Sequence, residues 1–447
     1  MNFPGFLQRT IAATDLHKPL SLRINFSWIL IGNVVYSACQ WGMLTVIAKL
    51  STPEMVGQFA LGLAVTAPVM MFANLQLRSV QATDARRDYL FSDYLGLRLI
   101  TTALAFVLIA GLTVIGRYRE ETAAVILIVG LSKSFEAISD VFFGLLQQRE
   151  RMDRIAKAMM LKGVLALALM SVLLLISKSL VFGVVGLLAA NIITLIAYDI
   201  PSGVLLLRDF DGSETASWGM ARLLPRWNFH RLQELSYLAL PLGFVMMLIS
   251  LNTNIPRYFI EHYLGERELG IFAAMAYLII AGTTVTGALG QSATPKLAKY
   301  YAGESGKEFS GLLLKMVGIG AVMGATGLLL ALTVGKPLLT VLYRPEYAQH
   351  VDVFVWLMLA AGLQYMASFL GYGMTAARRF LAQLPLFLAV TVTSVLMSLL
   401  LIPLYGQQGA AVALLIAAGL QLVGSAWILM ATLRSISGTQ ERSGAAG

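Results

Sequence analysis

The chain has 447 residues, of which 57% are hydrophobic and 13% charged, with a mean hydropathy of +0.74 and a formal net charge of +9. This balance excludes an ordinary soluble globular domain. The basic residues lie scattered in short connections between apolar runs, so the positive charge does not point to nucleic acid as a partner. A single cysteine, Cys39, rules out an internal disulfide and a thiolate metal site.

Residues 1–24 lack the apolar core of a signal peptide and are read as a retained cytoplasmic segment. Crossing roughly 30 Å of hydrocarbon takes about 20 apolar residues as a helix. Runs of that length fall at 25–49, 58–80, 93–116, 122–148, 155–177 and 181–206. Six more follow at 233–256, 270–294, 309–334, 350–373, 380–404 and 408–433. An all-α membrane protein with about twelve transmembrane helices is expected. Of the 33 Lys and Arg residues, 22 fall in the termini and the even-numbered connections and 8 in the odd ones, which places both termini in the cytoplasm. In the connection 207–232, Trp218, Met220, Leu223, Leu224 and Trp227 stand among Arg222, Arg226 and Arg231, the pattern of an amphipathic segment at headgroup level. The tail, 434–447, is small and polar, and no regular structure is expected there.

The fourth run, 122–148, carries Lys133, Glu136 and Asp140 at i, i+3 and i+7, on one helical face. An ionised group at bilayer depth costs roughly 2.5 to 3.5 kcal/mol, so that face must meet water or a partner. Asp140 is eight residues from the inner end of its run, about 12 Å deep. Lys162 in the fifth run and Asp199 in the sixth are seven residues from theirs, about 10 Å deep. These three read either as an ion network that fixes helix packing, or as acids that exchange a proton or cation while an anionic substrate competes for the lysine. Glu136 either neutralises Lys133 or leaves it available to an anion. Glu136, Asp140 and Asp199 are thus candidates for ion coupling. Arg78 and Arg98, near the inner ends of the second and third runs, add cations. The seventh run carries Pro241, then Asn252, Asn254 and Arg257 toward its outer end. Pro68, Pro201 and Pro241 are candidate hinges, because proline removes a bond from the helical ladder.

The two halves echo each other. Val56-Gly57-Gln58-Phe59-Ala60 before the second run returns as Leu269-Gly270-Ile271-Phe272-Ala273 before the eighth. Gly183-Val184-Val185-Gly186-Leu187-Leu188 at the sixth returns as Gly406-Gln407-Gln408-Gly409-Ala410-Ala411 at the twelfth. Matching order and position favour a duplicated six-helix unit, with lobes at 25–206 and 233–433. An even number of spans per unit makes the repeats parallel, which is a transporter's architecture with its site between the repeats. No G-x-x-x-x-G-K-[ST] occurs, and Gly303-Glu304-Ser305-Gly306-Lys307 lacks its spacing, so ATP hydrolysis is not expected. His17, His230, His262 and His350 all fall in connections without metal-ligand spacing, so neither a metal nor a cofactor is expected.

Gln76-Leu77-Arg78-Ser79-Val80-Gln81-Ala82-Thr83-Asp84, followed by Asp93-Tyr94-Leu95-Gly96-Leu97-Arg98, resembles the corresponding connection of bacterial Wzx-type polysaccharide flippases. These belong to the multidrug/oligosaccharidyl-lipid/polysaccharide exporter superfamily. The resemblance extends to Leu238-Ala239-Leu240-Pro241-Leu242-Gly243, Ala293-Thr294-Pro295-Lys296-Leu297 and Tyr405-Gly406-Gln407-Gln408-Gly409-Ala410-Ala411. It implies two six-helix lobes set as a V around a central cavity in the bacterial inner membrane, with no catalysis. It further implies ion-coupled alternating access that carries undecaprenyl-pyrophosphate-linked oligosaccharide outward for O-antigen, exopolysaccharide or capsule synthesis, alongside a polymerase and export machinery. Under that reading Arg78, Arg98, Lys133, Lys162 and Arg257 supply cations to the pyrophosphate. Asn74, Gln76, Asn252 and Asn254 hydrogen-bond sugars.

Two alternatives stand beside it. A multidrug or organic-cation antiporter of the same superfamily would want carboxylates in the cavity, yet the first run has none and the seventh only Glu234 at its edge. A membrane-embedded polymerase or ligase would need a sizeable outer loop, and the longest outer connections are 257–269 and 335–349.

Overall fold

The structure, a computed structural model, describes residues 22–84, 88–208, 224–303, 305–377 and 379–444. All regular structure among them is helical. In order these helices are α1 (Leu22–Leu50), α2 (Pro53–Ala73), α3 (Leu77–Thr83), α4 (Phe91–Ile115), α5 (Glu120–Gln148), α6 (Met152–Ser177) and α7 (Leu180–Thr194). A π-helical turn, Leu195–Asp199, leads into α8 (Ile200–Arg208). Then come α9 (Phe229–Leu264), α10 (Glu266–Tyr277), α11 (Ile279–Ala302) and α12 (Gly306–Leu342). A 3₁₀ turn, Tyr347–His350, precedes α13 (Val351–Ala376) and α14 (Phe380–Gly444).

Helices dominate because hydrocarbon offers no partner to a backbone N–H or C=O, and a helix satisfies both within itself. Ten stretches among the described residues are helical, long and apolar enough to cross a membrane. One of them, Ala382–Leu433, has 52 residues, about 78 Å of helix and so two crossings, and it breaks at Gly406, whose φ is 58°. The charged α5, with 29 residues, is also long enough. With these two the twelve expected crossings are recovered. Val114, Ile115, Ile176 and Leu404 are among the most exposed side chains, an outward apolar surface that suits lipid rather than water.

Three features were not expected. The second span breaks at 74–76, where Leu75 and Gln76 are both left-handed, with φ of 48° and 50°. The ninth span has a non-helical residue, Val334, just ahead of Pro337. The tail continues as helix to Gly444. Of the amphipathic connection, Trp218, Met220, Arg222 and Leu223 lie outside the described residues, as do Arg86, Arg87 and residues 1–21. Further along it the Arg226 amide donates to the Ser92 carbonyl at 3.0 Å, and Trp227 is exposed.

By packing, the chain forms two compact units, Met1–Met43 with Val65–Met247, and Leu44–Ala64 with Leu248–Gly447. The core of the first gathers Leu77, Tyr94, Val141, Leu146, Ile155 and Leu235. That of the second includes Phe309, Leu313, Phe369, Met374 and Leu429. Within the second unit the repeated glycines meet. A Cβ on Gly57 would lie 2.6 Å from the Glu266 carbonyl carbon, and one on Gly270 would lie 2.8 Å from the Gly57 nitrogen and 2.9 Å from the Pro53 carbonyl carbon. Only a bare Cα lets these backbones touch. The other repeated pair also serves close packing: a Cβ on Gly186 would lie 2.8 Å from Leu169 backbone, and one on Gly409 3.0 Å from the Ile402 nitrogen.

Candidate functional site

The break in the second span positions the first half of the site. Left-handed Leu75 and Gln76 turn the chain between α2 and α3, at a cost of roughly 1 to 2 kcal/mol each for residues that carry a Cβ. The Asn74 side-chain oxygen thereby accepts from Arg98 Nη1 at 2.5 Å. Arg98, on α4, is fully buried, and its Nη2 lies 3.6 Å from Asp140 Oδ2 on α5. Arg78, on α3, places Nη1 3.4 Å from Asp140 Oδ1 and donates through Nε to Gln147 Oε1 at 3.0 Å. Two arginines therefore share one carboxylate at long range. Arg98 is sealed, whereas the side chains of Arg78 and Asp140 are 28% and 30% exposed. Gln76 accepts from Ser79 at 3.1 Å and does not join this group.

Phe143, one turn beyond Asp140, binds the remaining cation. The Arg78 guanidinium lies 5.5 Å from its ring centroid and the Lys162 ammonium of α6 lies 5.3 Å from it. Each such contact attracts a cation by roughly 0.5 to 2 kcal/mol without neutralising it. Lys162 is buried, and among the described residues no carboxylate lies within 4.0 Å of it. The expected network of Asp140, Lys162 and Asp199 is thus partitioned differently: Asp140 belongs to the arginines. Lys133 is paired locally, donating to Glu136 Oε2 at 2.7 Å, while Tyr36 donates to Glu136 Oε1 at 2.9 Å. That i, i+3 pair offsets the two charges locally, and Lys162 also acts on Glu136, so the pair borders the cation cluster without forming an ion pair with it.

Asp199 ends the π-helical turn. Pro201 has no N–H for the carbonyl four residues back, and the ladder is re-paired by a wider bond from the Ile200 N–H to the Leu195 oxygen. One turn earlier, Asn191 donates to the Ser132 hydroxyl at 2.7 Å and so ties α7 to α5. Asp199 is fully buried, and neither of its oxygens makes a hydrogen bond. Lys162 is the charged group that acts on it, and Ser139 faces it without completing a hydrogen bond. Of the other proposed hinges, Pro68 lies inside α2 and Pro241 inside α9.

The remaining candidates lie on α9 in the second unit. Asn254 donates to the Ser250 carbonyl at 2.8 Å and accepts from Arg257 Nη1 at 3.2 Å. Arg257 has no carboxylate partner among the described residues and lies beside Tyr258 and Tyr277. Asn252 accepts from Thr391 at 2.6 Å, and its buried Nδ2 makes no hydrogen bond. Among the described residues no three His, Cys, Asp or Glu side chains are grouped to hold a metal.

Sequence reasoning passed over Phe143, Gln147 and Tyr36. The first two continue the stripe of Lys133, Glu136 and Asp140 at helical spacing, so extending that stripe would have found them. Tyr36 carries no comparable signal.

A family model described as "Polysaccharide biosynthesis protein" matches residues 22–301. The capsular polysaccharide biosynthesis protein CapF of Staphylococcus aureus is 31% identical over 404 residues, which is 89% of this chain and 97% of that protein. The fold is similar to that of the lipid II flippase MurJ in an inward closed conformation, with a TM-score of 0.65 and 13% identity over 93% of this chain and 90% of that one. An inward-facing multidrug resistance transporter of the MOP superfamily aligns with a TM-score of 0.60 and 13% identity, covering 98% of this chain and 99% of its own. The Vibrio cholerae transporter VcmN aligns with a TM-score of 0.59 and 12% identity over 96% and 97% of the two chains. This multi-pass membrane chain, with the fold of exporters and flippases, belongs to the polysaccharide biosynthesis protein family.

Proposed function

We propose that the chain moves a polyprenyl-pyrophosphate-linked oligosaccharide from the cytoplasmic to the outer leaflet of the bacterial inner (cytoplasmic) membrane, for capsule or a related surface polysaccharide. The observation that carries this reading is the charge imbalance around Asp140. Arg78, Arg98 and Lys162 gather at one partly exposed carboxylate and one aromatic ring. A pyrophosphate, with two adjacent phosphates, fits such a surplus of fixed cations where water is scarce.

In this reading Arg98 is a fixed post, held by Asn74 and closed to solvent. Arg78 is the exchangeable donor, because its bond to Asp140 is long and partly open to solvent. An incoming phosphate oxygen displaces Asp140 from Arg78, and Lys162 turns from Phe143 toward the second phosphate. Asn252, Asn254 and Arg257 offer further polar contacts on α9. Screening of the cations lets the chain pass between inward-open and outward-open states by bending at Pro68, Pro201 and Pro241, with an ion gradient driving the return. Both termini are cytoplasmic, as the distribution of Lys and Arg indicates. The work is binding and movement rather than catalysis, and a polymerase and export machinery would take up the product.

The test is complementation of a flippase-deficient strain with Arg78→Ala and Lys162→Ala variants at matched membrane abundance, following the lipid-linked oligosaccharide in each leaflet. Accumulation in the cytoplasmic leaflet is expected. Full transport by both variants refutes the pyrophosphate role of this cluster.

A further inference from the structure

We propose that Asp199 is a proton-operated switch for Lys162: protonated, it leaves the lysine to the anion site, and deprotonated, it withdraws the lysine from that site. The inference rests on the reading of Lys162 as part of a pyrophosphate site, and it adds what regulates that site.

The geometry separates the acids of this region into two kinds. Glu136 is bonded by Lys133 and Tyr36 and is also acted on by Lys162, and Asp140, partly exposed, is paired at longer range with Arg78 and Arg98. Asp199 alone among these three has two buried oxygens without a hydrogen bond. An ionised carboxylate closed off from water and left without a bonded partner is among the most costly arrangements a protein can hold. The neutral acid is the form that fits this state. The position of Lys162 agrees, since its ammonium rests on the Phe143 ring and not on a carboxylate.

Among the described residues, the groups that act on Asp199 and Lys162 come from α5, α6 and the π-helical turn. On α6 it is Lys162, the cation that acts on Asp199; on α5 they are Glu136, on which Lys162 also acts, and Ser139, whose own hydroxyl makes no hydrogen bond. On the π-helical turn itself it is Tyr198, which is also acted on by Arg154, Asp153 and Arg151. Of these, Arg151 and Asp153 are joined to each other by two bonds of 2.9 and 3.0 Å, and Arg154 donates to Ser202 at 3.4 Å. Glu136 already holds bonds from Lys133 and Tyr36, which leaves Lys162 as the cation to answer a charge on Asp199.

The step involves one proton. As the turn moves and water reaches Asp199, the O–H bond of its acid breaks, the proton passes to that water, and the carboxylate that remains pairs with the Lys162 ammonium, which keeps its own protons throughout. Lys162 leaves Phe143 and the anion site loses one of its three cations. Reprotonation reverses the exchange. A flexible lysine stem and a π-helical turn, a feature often found at functional sites, give both partners room to move.

The experiment uses the purified full-length chain in lipid nanodiscs, with farnesyl-pyrophosphoryl-N-acetylglucosamine as the probe. Each phosphate of this diester holds one fixed charge between about pH 5.5 and 8.5, so any pH dependence belongs to the protein. Wild-type affinity is expected to fall by about fivefold or more as pH rises through that range. Asp199→Asn should bind tightly with no such slope, and Lys162→Gln weakly with no such slope. In the infrared, a protonated carboxyl band present at low pH in the wild type should be missing from Asp199→Asn, a readout that a purely structural role would not move. The proposal is overturned if Asp199→Asn keeps the wild-type slope, or if no carboxyl band depends on Asp199. A wild type that binds no probe at any pH refutes the flippase reading instead, and the infrared measurement then decides the protonation of Asp199 by itself.

Discussion

Adding one methyl group to Gly57 or Gly270 tests the close crossing of α2 and α10 within the second unit. The Cβ of Gly57→Ala would lie 2.6 Å from the Glu266 carbonyl carbon, and ordinary contact begins at 3.4 Å. The Glu266 carbonyl oxygen is nearer still, so the two backbones must part by more than about 0.8 Å, and no flexible side chain is there to yield. Overpacking of a well-filled site costs about 1 to 3 kcal/mol, and a collision with main chain belongs at the upper end. Gly270→Ala meets Gly57 and Pro53 backbone at 2.8 and 2.9 Å and should cost a similar amount. The double variant should lose less than the sum, because one separation relieves both collisions. Thermal unfolding of the purified protein measures each loss. The internal standard is Gly318→Ala, where the added methyl meets nothing within 4 Å and helix propensity alone should stabilise by up to about 1 kcal/mol. Glycine variants at 57 and 270 as stable as Gly318→Ala, or strictly additive losses, would refute the close approach.

Arg151→Ala should be among the most damaging substitutions outside the proposed site. It removes the two-bond partner of buried Asp153 and leaves only Lys157, at 3.9 Å; breaking such a pair costs about 3 to 5 kcal/mol, visible as a lower unfolding midpoint and lower membrane abundance. Arg267→Ala should do little, with an effect on unfolding within about 1 kcal/mol, because its pairs with Glu54 and Glu346 are exposed to solvent. Asn74→Leu removes the acceptor of buried Arg98 and should cost about 1 to 3 kcal/mol in the same assay while slowing transport in the complementation strain. Tyr36→Phe deletes one of two donors to Glu136, and a loss near 1 to 2 kcal/mol is expected since the acceptor is charged.

Hydropathy made the twelve crossings legible because lipid imposes one requirement on every span, and the requirement shows residue by residue. The pairing of Lys133 with Glu136 was legible too, since both partners lie on one helix at i, i+3. Depth along an axis follows from counting residues, which is why Asp140, Lys162 and Asp199 could be set at one level. Azimuth does not follow from counting. Whether Asp140 turns toward Lys162 or toward Arg78 and Arg98 depends on how separate helices are rotated against each other, and that rotation is set by contacts distant in sequence. The break at 74–76 gave no warning, because Leu75 and Gln76 carry none of the glycine that usually marks a left-handed turn. The glycine echo was legible as repetition, and its cause appears only when the backbones of Gly57, Glu266, Pro53 and Gly270 are seen together.

The wide turn at Leu195–Asp199 also has a consequence for comparing this chain with its relatives. Successive residues of an α-helix advance by about 100°, so one residue extra in a turn shifts the phase of everything downstream by that angle. A relative without the wide turn would align with this one only through a single-residue gap in mid-helix, where gaps are otherwise rare. Deleting one residue from 195–198 would rewind the turn to an ordinary one without shortening the span appreciably. It would also swing the faces of α8 and of the preceding turns out of step by more than a quarter of a revolution.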